Sequence, residues 1–135
     1  MKKLFFTHCA LLFLSISFTY SQVTVTDEYV QHEIEKGKQY LVVILKSIPQ
    51  PGISEDSMAD EQEAHLKYLF TLREKGKLPV FGPFFNSGDL EGLCIFNSEN
   101  TNEVKRLIEV DPHVKAGHMT YEIHPWFGIP GYSLP

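Results

Sequence analysis

The amino-acid sequence predicts an α+β fold with a ferredoxin-like βαββαβ arrangement and a four-stranded antiparallel sheet. The predicted elements follow the order strand, helix, strand, strand, helix, strand. The first and third strands are apolar on both faces, as expected for the two central strands of that topology. The second strand contains prolines and the fourth alternates polar with apolar residues, as expected for strands at the sheet edges.

The first strand and the first helix come from the clearest patterns. The strand is predicted at Lys38–Ser47, because every residue from Tyr40 to Leu45 is apolar. After a loop, a helix is predicted from about Met58 to Lys75, with Ser54 or Ser57 as its N-cap.

One histidine lies on the apolar side of this helix. On a helical wheel the apolar residues share one sector, which comprises Ala59, Leu66, Leu69, Phe70 and Leu72. His65 falls at the edge of that sector, with Glu61 one turn before it. Gly76 is suited to end the helix, because glycine readily adopts the left-handed conformation of the residue after a helix.

The second half of the chain completes the pattern. The predicted elements are a strand over Leu78–Phe84, a strand over Gly92–Asn97, a helix capped by Thr101 or Asn102 that stops at Asp111–Pro112, and a strand from about His118 to Trp126. Helices cover only one face of such a sheet, whereas the central strands are apolar on both. We therefore expect a homodimer in which two sheets pack against each other.

Residues 1–21 are predicted to be a signal peptide rather than part of the fold. Lys2 and Lys3 precede an apolar run from Leu4 to Phe18, and small residues around Ser21 favour cleavage before Gln22. A membrane anchor is the alternative, but the run is shorter than the ~20 residues of a spanning helix. We expect a secreted or periplasmic protein without a membrane anchor in the mature chain.

The mature chain is then divided into an N-terminal extension (22–37), the ferredoxin-like domain (38–127) and a C-terminal tail (128–135). Cleavage removes two lysines and no acidic residue, so the net charge changes from −5 to −7. Such a surface repels phosphate backbones and argues against nucleic-acid binding.

Cleavage also removes Cys9, so Cys94 becomes the only cysteine and no internal disulfide is possible. The apolar strand around Cys94 predicts a buried structural thiol.

Several short motifs together resemble the YCII-related family. They are His65-Leu66, Gly76-Lys77-Leu78, Gly82-Pro83, the run from Asp111 to Gly117, and Pro125-Trp126. The resemblance covers roughly Gln39 to Phe127 and implies a dimeric α+β barrel with a catalytic histidine–aspartate pair. Matched motif by motif, the pair is His65 and Asp111. The chain differs from the family in having Gln62 where an arginine is frequent, and Glu91-Gly92-Leu93 where a Gly-Ser pair is frequent.

Proton transfer is the chemistry that this pair would perform. An imidazole titrates near neutral pH, and a carboxylate within hydrogen-bond distance would fix its tautomer. The resemblance makes Asp111 that carboxylate, and Glu61 is the rival partner of His65. Structural roles are the alternatives, because a histidine on an apolar helix face commonly packs and Asp before Pro commonly starts a turn.

The remaining candidates concern substrate, metal and cofactor binding. Gly82 and Pro83 would either border the substrate or end an edge strand, and Tyr40 would line the site or belong to the core. His118 and His124 lie roughly 20 Å apart on an extended strand, too far to share an ion, so no metal site is predicted. The sequence has no phosphate loop, hydrolase elbow or Cys-x-x-Cys motif, and no cofactor is predicted.

Two functional hypotheses follow. The first is a small, exported, cofactor-independent lyase, hydratase or isomerase that acts on an unidentified small organic substrate. The second is a non-catalytic dimeric module that binds a small ligand or a protein. The surroundings of His65 distinguish them, since a water-accessible cavity beside Asp111 favours the enzyme.

Overall fold

A computed structural model describes residues 24–49 and 55–131 of the chain. The predicted signal peptide and the candidate N-cap Ser54 lie outside the described residues, as do residues 132–135 of the predicted tail. No helix within the described ranges is long and apolar enough to span a membrane.

A single antiparallel sheet forms the centre of the fold. Its strands are β1 (Lys38–Ser47), β2 (Val80–Pro83), β3 (Leu90–Phe96) and β4 (Met119–Gly128), arranged in the order β2-β3-β1-β4. The helices are α1 (Asp27–Glu35), α2 (Glu55–Glu74), α3 (Thr101–Glu109) and α4 (Pro112–Lys115). The predicted α+β, ferredoxin-like topology is confirmed, with β1 and β3 in the centre and β2 and β4 at the edges.

The hydrophobic core lies between the sheet and helices α2 and α3. Alternate residues of the central strands face this layer, because successive side chains of a strand point to opposite faces. The buried residues are Leu41, Val43 and Leu45 of β1, Cys94 and Phe96 of β3, Leu69 and Leu72 of α2, Leu78, and Val104 and Ile108 of α3. On β4, the alternation predicted for Met119, Tyr121 and Ile123 is confirmed, since all three pack against this core.

Helix α2 follows the predicted pattern only in part. Gly76 has a φ of 68°, which fits its predicted place after the helix. Ser57 lies within α2 and is not its N-cap. Leu66 and Phe70 belong to the predicted apolar sector but remain exposed, because they lie toward an opening between α2 and the sheet.

The segment after α3 differs from the prediction. The N-cap of α3 is Asn100, whose side chain accepts a hydrogen bond from the backbone N–H of Glu103, rather than Thr101 or Asn102. The Asp111–Pro112 step ends α3 as expected, but it also begins the short helix α4. Asp111 caps α4 and Pro112 occupies its first turn, where a missing N–H costs nothing.

Helices α2 and α3, which supply the core residues from the described helices, pack on one face of the sheet and leave its second face uncovered. β1 and β3 place apolar side chains there in register, with Val42 opposite Ile95 and Ile44 opposite Leu93. Helix α1 buries none of its residues. The fold therefore leaves an apolar, outward sheet face, which we define as Val42, Ile44, Leu93 and Ile95.

Candidate functional site

A cavity of about 320 Å³ opens between α2 and the inward side of the sheet. Most of its wall is apolar, and its polar side chains are Gln62, His65 and Glu91. The other residues that line it are Leu45, Leu66, Leu69, Phe70, Phe81, Gly82, Pro83, Gly92, Leu93, Cys94 and Met119. Small-molecule sites commonly combine apolar walls with a few polar groups in volumes of about 300–1,000 Å³.

His65 is held in the wall of this cavity by a buried carboxylate. Its Nδ1 lies 3.0 and 2.8 Å from the two carboxylate oxygens of Asp111. Asp111 is 0% exposed and His65 only 6%. Because an ionised carboxylate only accepts hydrogen bonds, Nδ1 of His65 carries the proton and donates it to Asp111.

The second ring nitrogen of His65 remains available. Within the described part of the chain, no completely buried side-chain nitrogen or oxygen lacks a hydrogen-bond partner. Nε2 of His65 makes no hydrogen bond to the described residues, so this atom retains some exposure, and the cavity is the space that the residue borders. In the Nδ1–H tautomer, Nε2 is an unprotonated hydrogen-bond acceptor.

Asp111 is itself positioned by the start of α4. Its Oδ1 accepts the backbone N–H of His113 at 3.0 Å, which is the N-cap bond of that helix. The carboxylate therefore serves two donors, the imidazole of His65 and the first turn of α4. Tyr68 lies nearby; burial chiefly raises the pKa of its phenol, with a smaller contribution from the charge of Asp111.

A second polar cluster, which consists of Glu61, His113 and His118, lies beside a first cluster formed by His65 and Asp111. Oε1 of Glu61 accepts hydrogen bonds from Nδ1 of His113 and from Nδ1 of His118, the latter at 2.6 Å. Burial opposes ionisation of Glu61, but the hydrogen bonds from His118 and His113 outweigh it and lower the pKa of the carboxyl. Glu61 is thus the partner of these two histidines. Of the two carboxylates that the sequence offered as partners of His65, the structure places Asp111 in contact with it.

His113 connects the two clusters. Its ring lies beside that of His65, with centroids 4.7 Å apart. Its Nε2 is 2.8 Å from the side-chain oxygen of Gln62, so both of its nitrogens are engaged. Gln62, which stands where the resembling family often has arginine, also borders the cavity. It therefore links the second cluster to the cavity wall.

Cys94 lies in the cavity wall but is inert. The residue is 1% exposed. Burial, with a smaller contribution from the charge of Asp111, raises the pKa of its thiol to about 12. The thiol stays protonated at neutral pH, which agrees with the predicted structural role and excludes a thiolate nucleophile there.

The predicted substrate-binding residues occupy different places. Gly82 and Pro83 border the cavity. Tyr40 does not; it lies five residues before Leu45 on β1 and packs against Trp126, with ring centroids 5.9 Å apart. Tyr40 is thus roughly 16 Å from Leu45 and shares the outward face of the sheet with Val42 and Ile44, whereas the cavity lies on the inward side. The contributions of all three to substrate binding remain predictions.

Sequence reasoning did not find His113, His118 or Gln62 as members of the site. His118 and His124 lie too far apart along the chain to share an ion, as expected. His118, however, precedes β4, and the left-handed turn at Gly117 (φ 80°) brings it beside His113. No local pattern links either histidine to Glu61, more than fifty residues earlier.

Comparisons with known proteins agree with this architecture. The family model described as the YCII-related domain matches residues 40–127. The chain is similar to 5-chloro-2-hydroxyhydroquinone dehydrochlorinase (TftG) from Burkholderia phenoliruptrix AC1100, solved in complex with 2,5-dihydroxybenzoquinone. Sequence identity is 30%, the TM-score is 0.50, and the similarity covers 64% of this chain and 92% of that chain.

A more distant similarity links the chain to the Arabidopsis thaliana protein At3g17210. Sequence identity is 13%, the TM-score is 0.35, and the match covers 72% of this chain and 100% of that chain. No curated protein matches the chain.

Proposed function

Because the chain belongs to the YCII-related family, we propose that it is a small acid–base enzyme in which His65, oriented by Asp111, moves a proton on a small organic substrate. One observation carries the proposal: Nδ1 of His65 is bonded to a fully buried carboxylate, while Nε2, beside a cavity, has no hydrogen-bond partner among residues 24–49 and 55–131. A packing histidine would have both nitrogens satisfied or removed from any cavity.

Elimination is the reaction type that we favour over hydration and isomerisation. A dehydrochlorinase removes a proton and a chloride ion from its substrate, and TftG is 30% identical to this chain. In the proposed step, Nε2 of His65 accepts a proton from the substrate as the leaving group departs with its electron pair. Asp111 stabilises the resulting imidazolium through the bond to Nδ1 and keeps the ring in the required tautomer.

The substrate that we propose is a single-ring organic compound with polar substituents. The cavity volume of about 320 Å³ lies at the lower end of the range for ligand sites, so a small molecule fits best. The apolar wall suits a ring, whereas Gln62 and Glu91 offer hydrogen bonds at its edge. The quinone bound by TftG has this chemistry, which supports the choice of probe below.

The proposed enzyme is also a homodimer that acts outside the cytoplasm. The outward sheet face is apolar on both central strands, and a second sheet would remove it from water. Export is supported by the sequence pattern of residues 1–21. A monomer at micromolar concentration in sedimentation analysis would contradict the proposed dimer. A mature N-terminus still at residue 1 after expression in the source cells would contradict the proposed export.

The direct test is release of chloride from 5-chloro-2-hydroxyhydroquinone. We expect turnover by the wild type and its loss in His65→Gln, with circular dichroism unchanged. His124→Gln is the matched control, because His124 is exposed on β4 and remote from the cavity. Equal turnover in wild type and His65→Gln would reject His65 as the base.

A non-catalytic binding module is the second candidate, and the low exposure of His65 favours it, since only 6% of the residue is accessible. In that case His65 donates or accepts a hydrogen bond to the ligand without transferring a proton. Binding of 2,5-dihydroxybenzoquinone, measured by calorimetry, together with no chloride release, would favour the module over the enzyme.

A further inference from the structure

We propose that Glu61, His113 and His118 form a binding site for one divalent transition-metal ion of the Zn²⁺ class, next to the His65–Asp111 pair. The three side chains offer one carboxylate oxygen and two imidazole nitrogens, all within 4.8 Å of one another. Two histidines and one glutamate are a recurring zinc ligand set, with a fourth position left for water.

The geometry requires adjustments of the side chains to admit an ion. At zinc–ligand distances of about 2.0–2.2 Å, tetrahedral coordination separates ligand atoms by roughly 3.4 Å. Oε1 of Glu61 is now 2.6 Å from Nδ1 of His118 and closer still to Nδ1 of His113. Binding would therefore require the carboxylate to withdraw by about 1 Å and the two imidazole nitrogens to turn toward each other from a separation of up to 4.8 Å. The ion would replace the two Nδ1 protons, which leave to solvent.

The backbone holds the two histidines in place independently of Glu61. The N–H of His118 donates to the carbonyl of His113 at 2.9 Å, and the carbonyl of His118 accepts the N–H of Ile48 at 2.8 Å. Gly117, with φ 80°, makes the turn between them. The donor pair is therefore present before an ion arrives, which reduces the ordering cost of binding.

An ion can reach the cluster from solvent. The side chain of Glu61 is 16% exposed and that of His118 is 21% exposed, while His113 forms the buried wall at 6%. The chain carries an excess of acidic residues, with a net charge of −5, and this field favours cations. Imidazole and carboxylate together suit Zn²⁺ better than Mg²⁺, which prefers oxygen ligands and its own water.

The ligands come from three parts of the fold, so an ion would join them. Glu61 lies on α2, His113 on α4, and His118 in the turn before β4. Metal binding should therefore stabilise the docking of α4, the helix that Asp111 caps, against α2. This inference does not depend on proton transfer by His65, because none of the three ligands is assigned to that step.

The test is titration of the purified protein with Zn²⁺ by calorimetry, with thermal unfolding measured at the same ratios. We expect one ion per chain and a rise in Tm of several degrees at saturation, as for any ligand that binds only the folded state. Mg²⁺ at the same concentration should not raise Tm.

Two variants identify the ligands. Glu61→Gln keeps the size of the side chain, and His118→Asn keeps a polar group. Loss of a residue that only supports a metal ligand typically lowers metal affinity by roughly 10–100-fold, and we expect each of these variants to lower the Zn²⁺ affinity by more than that. His124→Asn is the matched control and should bind like the wild type. The same affinity in Glu61→Gln and wild type, or no zinc-dependent rise in Tm of the wild type, would overturn the proposal.

Discussion

His65 and His113 lie side by side, with ring centroids 4.7 Å apart, yet their nitrogens are used differently. His65 has Nδ1 bonded to Asp111 and Nε2 beside the cavity. His113 has Nδ1 bonded to Glu61 and Nε2 to Gln62, and it does not border the cavity. Burial alone does not distinguish the two residues, since both are nearly inaccessible. The number of engaged nitrogens does, and it is the basis on which we propose proton transfer for His65 and not for His113.

The largest expected effect separates the two rings by activity. His65→Gln should lower kcat for chloride release from 5-chloro-2-hydroxyhydroquinone by about 10²–10⁴-fold, the usual contribution of a positioned acid–base group. His113→Gln should cost much less, because His113 acts on the substrate only through Gln62 and the packing of His65. Steady-state kinetics of both variants provides the measurement. A larger loss in His113→Gln would reverse the assignment.

The next effect concerns Asp111, which accepts hydrogen bonds from the ring of His65 and from the backbone N–H of His113. Asp111→Ala leaves the Nδ1–H of His65 and the backbone N–H of His113 without their acceptor. Its free energy of unfolding should fall by about 3 kcal/mol, from the unpaired buried donors and the lost helix cap. Urea unfolding measures this loss.

Asp111→Asn is the matched comparison, because its side-chain oxygen can still accept the N–H of His113. We expect a clearly smaller loss of stability but an equally severe loss of turnover, since the amide favours the wrong tautomer of His65. If both substitutions destabilise the protein equally, the cap is not the origin of the effect.

A smaller effect tests whether the cavity wall behind His65 is dry. The thiol of Cys94 has a pKa of about 12 in the fold against an ordinary value of 9.0. It stays protonated in the folded state while the unfolded state ionises, so its contribution to stability is lost as pH rises from 9 toward 12. Between pH 8 and pH 10 the wild type should lose about 1.4 kcal/mol relative to Cys94→Ala.

The measurement is the difference in unfolding free energy between these two proteins across that pH range. The comparison isolates Cys94 because Tyr68 and Tyr121, whose pKa values are also raised, are present in both proteins. A constant difference would mean that water reaches the thiol.

The smallest effect is expected at a histidine outside both environments. His124 is exposed on β4, and its contact with Glu122 is 3.4 Å long. His124→Ala should change the free energy of unfolding by no more than about 0.5 kcal/mol, as is usual for surface substitutions. A larger change would indicate contacts of His124 beyond its interaction with Glu122.

The fold could be predicted because its signals are local. The continuous apolar run in β1, the alternation in β4, and the glycine after α2 each follow from short-range patterns, and together they determine the strand order. Helix α4 was not predicted, because an Asp-Pro step is common both at the end of a helix and at the start of one. The exposure of Leu66 and Phe70 was also missed, since the wheel shows the apolar sector but not the opening beside it.

The candidate site could be predicted only where a motif marked it. His65 and Asp111 were named through the resemblance, and the structure brings them into contact. Glu61, His113 and His118 converge through the docking of α4 on α2, which is a tertiary contact with no trace in residue spacing. Tyr40 lies on a central strand, but the alternation of that strand turns it to the face opposite the cavity.

The most direct test of the central claim is the tautomer of His65, read from its ¹⁵N chemical shifts in uniformly labelled protein at mildly alkaline pH. Proton transfer by Nε2 requires Nδ1 to carry the proton that Asp111 accepts. The expected result is a protonated Nδ1 and an unprotonated Nε2 in the wild type, with the proton moved to Nε2 in Asp111→Asn. A wild-type His65 protonated at Nε2 would contradict the account, because the atom facing the cavity could then accept no proton from a substrate.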